Sequence, residues 1–152
     1  MRIFKLLLSA ALIGALFTYS GCGSDAAPAP SIKDTQLKSL SKTWKCTSAT
    51  LQGAAQTGYG SFQLVISGTA GNDTFGYTTT GRPPGTKSSP WAASGTFTFG
   101  TDPATQLTRD DALPITYSVS ATQLQITFTY AGSGYDGRVS NVVGTWVYTF
   151  GL

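Results

Sequence analysis

Residues 123–130 read Gln-Leu-Gln-Ile-Thr-Phe-Thr-Tyr. Leu124, Ile126, Phe128 and Tyr130 fall on one phase of a two-residue repeat, with Gln123, Gln125, Thr127 and Thr129 on the other. Successive side chains of a strand point to opposite faces, so this segment makes a strand with one apolar and one wet face. Wound as a helix, the same residues would scatter their apolar groups around the axis.

The repeat recurs along the chain. Trp44 and Cys46 alternate with Lys45 and Thr47; Phe62, Leu64 and Ile66 with Gln63 and Ser67; Phe75 and Tyr77 with Thr74 and Thr78. Phe97 and Phe99 follow, then Leu113, Ile115, Tyr117 and Val119, and finally Trp146, Tyr148 and Phe150. Gly58, Gly60, Gly71-Asn72-Asp73 and the glycines between 132 and 137 supply turn chemistry between them. Residues 80–90 contain Pro83, Pro84 and Pro90, which excludes a central strand there. Residues 102–111 read as a second loop, and residues 131–143 as an excursion with one weak strand near Arg138–Ser140. Before the first strand, Asp34 is placed to cap a short helix over residues 35–41, with Leu37 and Leu40 on one face.

The expected fold is therefore all-β: an antiparallel meander closing into a small barrel of about eight strands. A two-sheet β-sandwich is the alternative. Closure removes exposed edges, which matters for a threonine-rich, weakly charged chain.

The N-terminus has a different character. Arg2 and Lys5 precede an apolar core from Leu6 to Phe17, too short to span a bilayer and of the length of a secretory signal. Ser20-Gly21-Cys22 then resembles the cleavage and acylation site of a bacterial lipoprotein. That resemblance implies a signal peptide over 1–21, a diacylated or triacylated Cys22 (palmitate among its chains) and a tether over 22–34. A single domain follows over 35–152. Two or more acyl chains are what durable membrane attachment requires. Gly23, rather than aspartate, follows Cys22, and for such lipoproteins this implies the outer membrane; which side the domain faces stays open.

Cleavage before Cys22 leaves eight basic and seven acidic side chains, so no basic stripe points to nucleic acid. Lys33, Lys38, Lys42 and Lys45 form either a solvated face or a weak contact with anionic lipid. An acylated Cys22 leaves Cys46 without a disulfide partner, and its phase with Trp44 makes it a buried thiol.

Leu40 to Trp44 (Leu-x-x-x-Trp), Trp91 to Phe99 (Trp-x-x-x-Gly-Thr-Phe-x-Phe), Arg109-Asp110-Asp111 and Gly144 to Phe150 (Gly-Thr-Trp-x-x-x-Phe) form a set. Together they resemble the small lipocalin-like lipoproteins of Bacteroidetes-type bacteria. The resemblance implies a lipocalin-like barrel and an envelope location, and carries over no catalytic residue.

Candidate chemistry is sparse. The chain has no histidine and no glutamate, so the Ser-His-Asp triad and histidine zinc sites lack their parts. No enzyme activity, catalytic residue, metal or cofactor is expected. Asp102, Asp110 and Asp111 form the one carboxylate grouping, read as either a Ca²⁺ loop or an ordinary turn with Arg109 paired to a carboxylate. Arg82, Lys87, Trp91, Tyr77, Tyr117 and Tyr130 are the candidate ligand or partner contacts at a barrel mouth. Trp91 either joins that surface or folds back to plug the barrel. Two functions remain: a membrane-anchored barrel binding a small apolar or amphipathic ligand, or an interaction protein with a filled core. The second would contact an envelope protein or glycan through its loops.

Overall fold

The computed structural model describes residues 29–83, 89–135 and 142–152. Helix α1 (Ile32–Leu40) leads into β1 (Thr43–Leu51), β2 (Ala54–Ala55), β3 (Gln63–Ser67), β4 (Thr74–Thr80) and β5 (Ser94–Phe99). Then come β6 (Gln106–Arg109), β7 (Pro114–Val119), β8 (Gln123–Tyr130) and β9 (Gly144–Gly151). Each strand pairs antiparallel with its sequence neighbour, except that β3 joins β1 past the small β2, and β9 returns to pair with β1. The sheet is thus a closed eight-stranded antiparallel barrel with β2 as an appendix, and the sandwich alternative is ruled out.

Closure rests on one long strand. β1 pairs with β9 from Lys45↔Gly151 to Leu51↔Trp146, with an extra residue at Thr47. That bulge lets both Cys46 and Ala49 point inward. On its other side β1 pairs first with β3 and then, beyond the bulge, with β2. The turn into β2 uses Gln52 at φ 50 and Gly53 at φ 81, the two left-handed residues of a type I′ hairpin.

Three expectations are corrected. The helix begins at Ile32, not residue 35, because Ser31 is its cap. Ser31 Oγ accepts from the Asp34 amide (3.0 Å) and donates to the Asp34 carboxylate (2.8 Å), a reciprocal pair that fixes the first turn three residues earlier. Residues 32–34 therefore belong to the helix and not to a tether. Residues 102–111 are not one loop, since β6 occupies Gln106–Arg109. The weak strand expected near Arg138–Ser140 lies outside the described residues.

The core is aromatic. Trp44, Phe62, Phe97, Tyr148 and Phe150 are completely buried, joined by Leu64 from the inward phase of β3 and Leu124 and Ile126 from that of β8. Rings of this size bury about 150–250 Å² each, so a few of them fill a small barrel. The outward phase of β4, β7 and β8 is threonine, serine and glutamine with Gly76 and Pro114 and no charged residue, in keeping with the alternation.

Candidate functional site

The barrel has two ends of different construction. At the helix end, α1 lies across the opening, with Leu37 and Leu40 buried. The Trp44 indole donates to Leu40 O (2.8 Å), and Lys42 donates to Ala121 O (2.8 Å). Asp34 accepts from the Gly71 amide (2.7 Å), which ties the helix to the β3–β4 turn. That bond and the Ser31 hydroxyl hold the Asp34 carboxyl below its ordinary pKa. Tyr117 points to this end, its hydroxyl between Pro103 O and the Gln36 side chain.

The opposite end is closed by side chains from connecting loops. Gly81 starts the β4–β5 connection at φ 63, packed against Ser61 O so closely that no side chain fits there. Further along, Thr79 Oγ donates to Ala92 O (2.7 Å), the Arg82 guanidinium to Trp91 O (3.2 Å), and the Trp91 amide to Ser89 Oγ (3.1 Å). These bonds turn Trp91 into the barrel, where it is fully buried. Its ring centre lies 5.5 Å from Phe128, 5.6 Å from Tyr77 and 5.9 Å from Tyr148, all edge-on. Of the two readings of Trp91, the plug is the one observed.

Arg109 lies beside the plug. It shares the inward phase of β6 with Leu107 and is only 1% exposed. Nε and Nη2 donate in parallel to the two Asp111 oxygens (2.9 and 2.6 Å), and Nη1 donates to Pro90 O (2.8 Å). The guanidinium carbon sits 5.4 Å from the Trp91 ring centre and 5.7 Å from those of Phe128, Tyr130 and Tyr135. Rings at this range attract a cation with their negative faces. Burial, the largest single influence, works against the charge, but the Asp111 bonds and the electrostatic influence of Tyr77, Asp111 and Tyr135 together outweigh it and the pKa of Arg109 rises. Asp111 is correspondingly depressed, chiefly by Arg109, with the Tyr135 hydroxyl (3.1 Å) also donating to it. The β6–β7 turn that brings Asp111 back under Arg109 needs Ala112 at φ 61, a left-handed conformation that L-residues seldom adopt.

The candidate contacts are divided by this arrangement. Tyr77, Trp91, Tyr130 and Arg82 belong to the plugged end, Tyr117 reaches the helix end, and Lys87 lies outside the described residues. Tyr77, Trp91, Tyr117 and Tyr130 are all buried, so none offers an open surface. The acidic grouping is also taken apart. β6 holds Asp102 at the helix end, where it caps its own turn through Ala104 and Thr105, and puts Asp110 and Asp111 at the plugged end. Asp110 accepts from the Thr96 amide (3.0 Å). No cluster suited to a metal occurs among the described residues. Cys22 lies outside them.

Three buried polar atoms near the plug have no hydrogen-bond partner among the described residues: Trp91 Nε1, Tyr148 Oη and Tyr77 Oη. The Tyr59 hydroxyl and the Trp91 indole influence Tyr148 without completing a bond, and burial drives its pKa well above the ordinary tyrosine value. Burial likewise raises the Cys46 thiol to about 11, so it is protonated at neutral pH and a poor nucleophile.

The pairing of Arg109 with a carboxylate was expected and is observed with Asp111; its burial inside the barrel was not. The signal was present: in Gln106-Leu107-Thr108-Arg109 the arginine falls in phase with Leu107. Its burial depends on Asp111 and on four rings brought from elsewhere in the chain. Comparison with known proteins finds no matching family model, curated protein or solved structure.

Proposed function

We propose that the chain is a non-catalytic, lipid-anchored protein of the bacterial outer membrane. In this reading it belongs among the lipocalin-like envelope lipoproteins, and its barrel is a rigid scaffold for surface contacts with an envelope protein or glycan. One observation carries the choice of scaffold over container: Trp91 is seated inside the barrel against Tyr77, Phe128 and Tyr148, in the space a ligand would use. The anchoring part is supported by the short apolar leader and by Ser20-Gly21-Cys22.

Native mass spectrometry of the full chain extracted from membranes tests the first part. A mass accounted for by polypeptide and acyl groups alone is expected. Palmitate labelling that disappears in Cys22→Ser tests the anchor, and an unlabelled wild-type chain free in the periplasm would overturn it.

A second reading has its own support in the unpartnered Trp91 Nε1 and Tyr148 Oη. Buried polar atoms almost always have partners, so a small amphipathic ligand with an acceptor oxygen would satisfy them. A stoichiometric small molecule retained in the native spectrum would decide for it.

A further inference from the structure

Beside α1 runs a groove of about 620 Å³, lined by Pro30, Leu37, Lys38, Gly68 and Ala70 with Asp34 at its side. Its volume lies within the range of ligand sites, about 300–1,000 Å³. Its floor is apolar: Leu37 packs against Gly68 so tightly that a side chain there would collide with it. Asp34 is already engaged by Ser31 and Gly71. Lys38 is exposed and makes no ion pair among the described residues, whereas Lys33 bridges to Asp73. Ile32 and Leu152 stand 64% and 57% exposed, both at the helix end of the barrel.

The place of this groove in the chain matters. Pro30 forms part of its wall, and Cys22 lies eight residues upstream. Eight residues span at most about 28 Å when fully extended. If Cys22 is acylated, as proposed above and as this inference assumes, the helix end is confined within that distance of the bilayer surface. A short tether turns a weak contact into an intramolecular one at millimolar effective concentration. Contact between the groove and the bilayer is favoured accordingly.

We propose that the helix end is a lipid-facing surface whose groove takes an acyl chain of a bilayer phospholipid, with Lys38 at the rim for an anionic headgroup. The exposed Ile32 and Leu152 extend the apolar contact around it. The four lysines of the N-terminal segment thereby gain a role: Lys38 meets the headgroups, and Lys33, Lys42 and Lys45 share the same end of the barrel. The plugged end, with its loops, is left facing away from the membrane.

The test uses the full chain reconstituted in phosphatidylethanolamine–phosphatidylglycerol vesicles containing a phospholipid with a photoactivatable acyl chain. Label is expected in peptides spanning 35–41 and 68–70. Ala70→Trp, which fills the groove, should lower it at least fivefold, and Lys38→Glu should remove its dependence on phosphatidylglycerol. Lys38 is exposed, so its variant keeps the test open should Ala70→Trp fail to fold. Label confined to residues 22–29, label at the plugged end around Tyr135, or label indifferent to both variants overturns the proposal. Palmitate labelling of the same samples, with Cys22→Ser alongside, separates the two ideas. Acylated protein without groove label refutes this surface and spares the anchor. Groove label on a chain that carries no palmitate does the reverse.

Discussion

The helix end and the plugged end close the same barrel by different means. At the helix end, most polar groups are matched, Ser31 with Asp34, Asp34 with Gly71, Trp44 with Leu40 and Tyr117 with Pro103, and the Ser41 hydroxyl alone is buried without a partner among the described residues. At the plugged end, aromatic area and one arginine do the closing, and three buried polar atoms remain without partners among the described residues. Leaving such a group unsatisfied costs about 1–3 kcal/mol, so the plug must recover that through burial and cation–π contact. The difference suggests that the two ends respond to the same kind of substitution in opposite ways.

The sharpest way to break the comparison is Trp91→Ala. Removing a buried indole should cost about 3–5 kcal/mol in urea unfolding, and should open a cavity that takes up an apolar dye. Unchanged stability would mean the plug is not part of the cooperative core. Next comes Arg109→Leu, expected to cost about 2 kcal/mol, because Asp111 is partly solvated and tolerates losing its partner better than a buried carboxylate would. Arg109→Lys should not restore the loss, since an ammonium lacks the fork that spans both Asp111 oxygens.

A smaller effect sharpens the contrast between matched and unmatched hydroxyls. Tyr117→Phe at the helix end should cost about 1 kcal/mol, the worth of a made hydrogen bond. Tyr148→Phe at the plugged end should be neutral within about 0.5 kcal/mol or slightly stabilising, because its hydroxyl has no partner to lose. Equal losses at both positions would show that Tyr148 is satisfied after all.

Acid dependence gives the smallest expected change. Asp111 and Asp34 both titrate below the ordinary 3.8 when folded. A depressed carboxylate contributes stability above its unfolded pKa and loses it as pH falls through the folded value. Stability should therefore drop below about pH 4. Asp111→Asn should flatten that drop more than Asp34→Asn, because Arg109 is buried and screened less than the exposed cap. Identical acid profiles for the two variants would remove electrostatics from the account of the plug.

Much of this was legible beforehand. Alternation located the seven principal strands, since period two is a local property that needs no knowledge of neighbours. Leu37 and Leu40 were placed correctly on one helix face, but the cap was assigned to Asp34 instead of Ser31. Both residues cap well, and the choice was set by the bond between them. β6 was missed because four residues beside Asp102 and Asp110-Asp111 look like turn sequence. Pairing with β5 and β7 makes them a strand. Of the candidate site, the tyrosines and Trp91 were found as residues but not as a place. Their burial shows only once the β4–β5 connection folds inward.

By itself, then, the sequence determined the faces of the strands, the inward set of rings and the incapacity for histidine chemistry. Each follows from residue type and spacing along a few consecutive positions. Tertiary structure alone decided that β9 returns to β1, that Trp91 fills the interior, that Arg109 turns inward to Asp111, and that Asp102 stands apart from Asp110. These depend on contacts between distant segments, where the free energy of burial and of paired charge outweighs what any local stretch prefers.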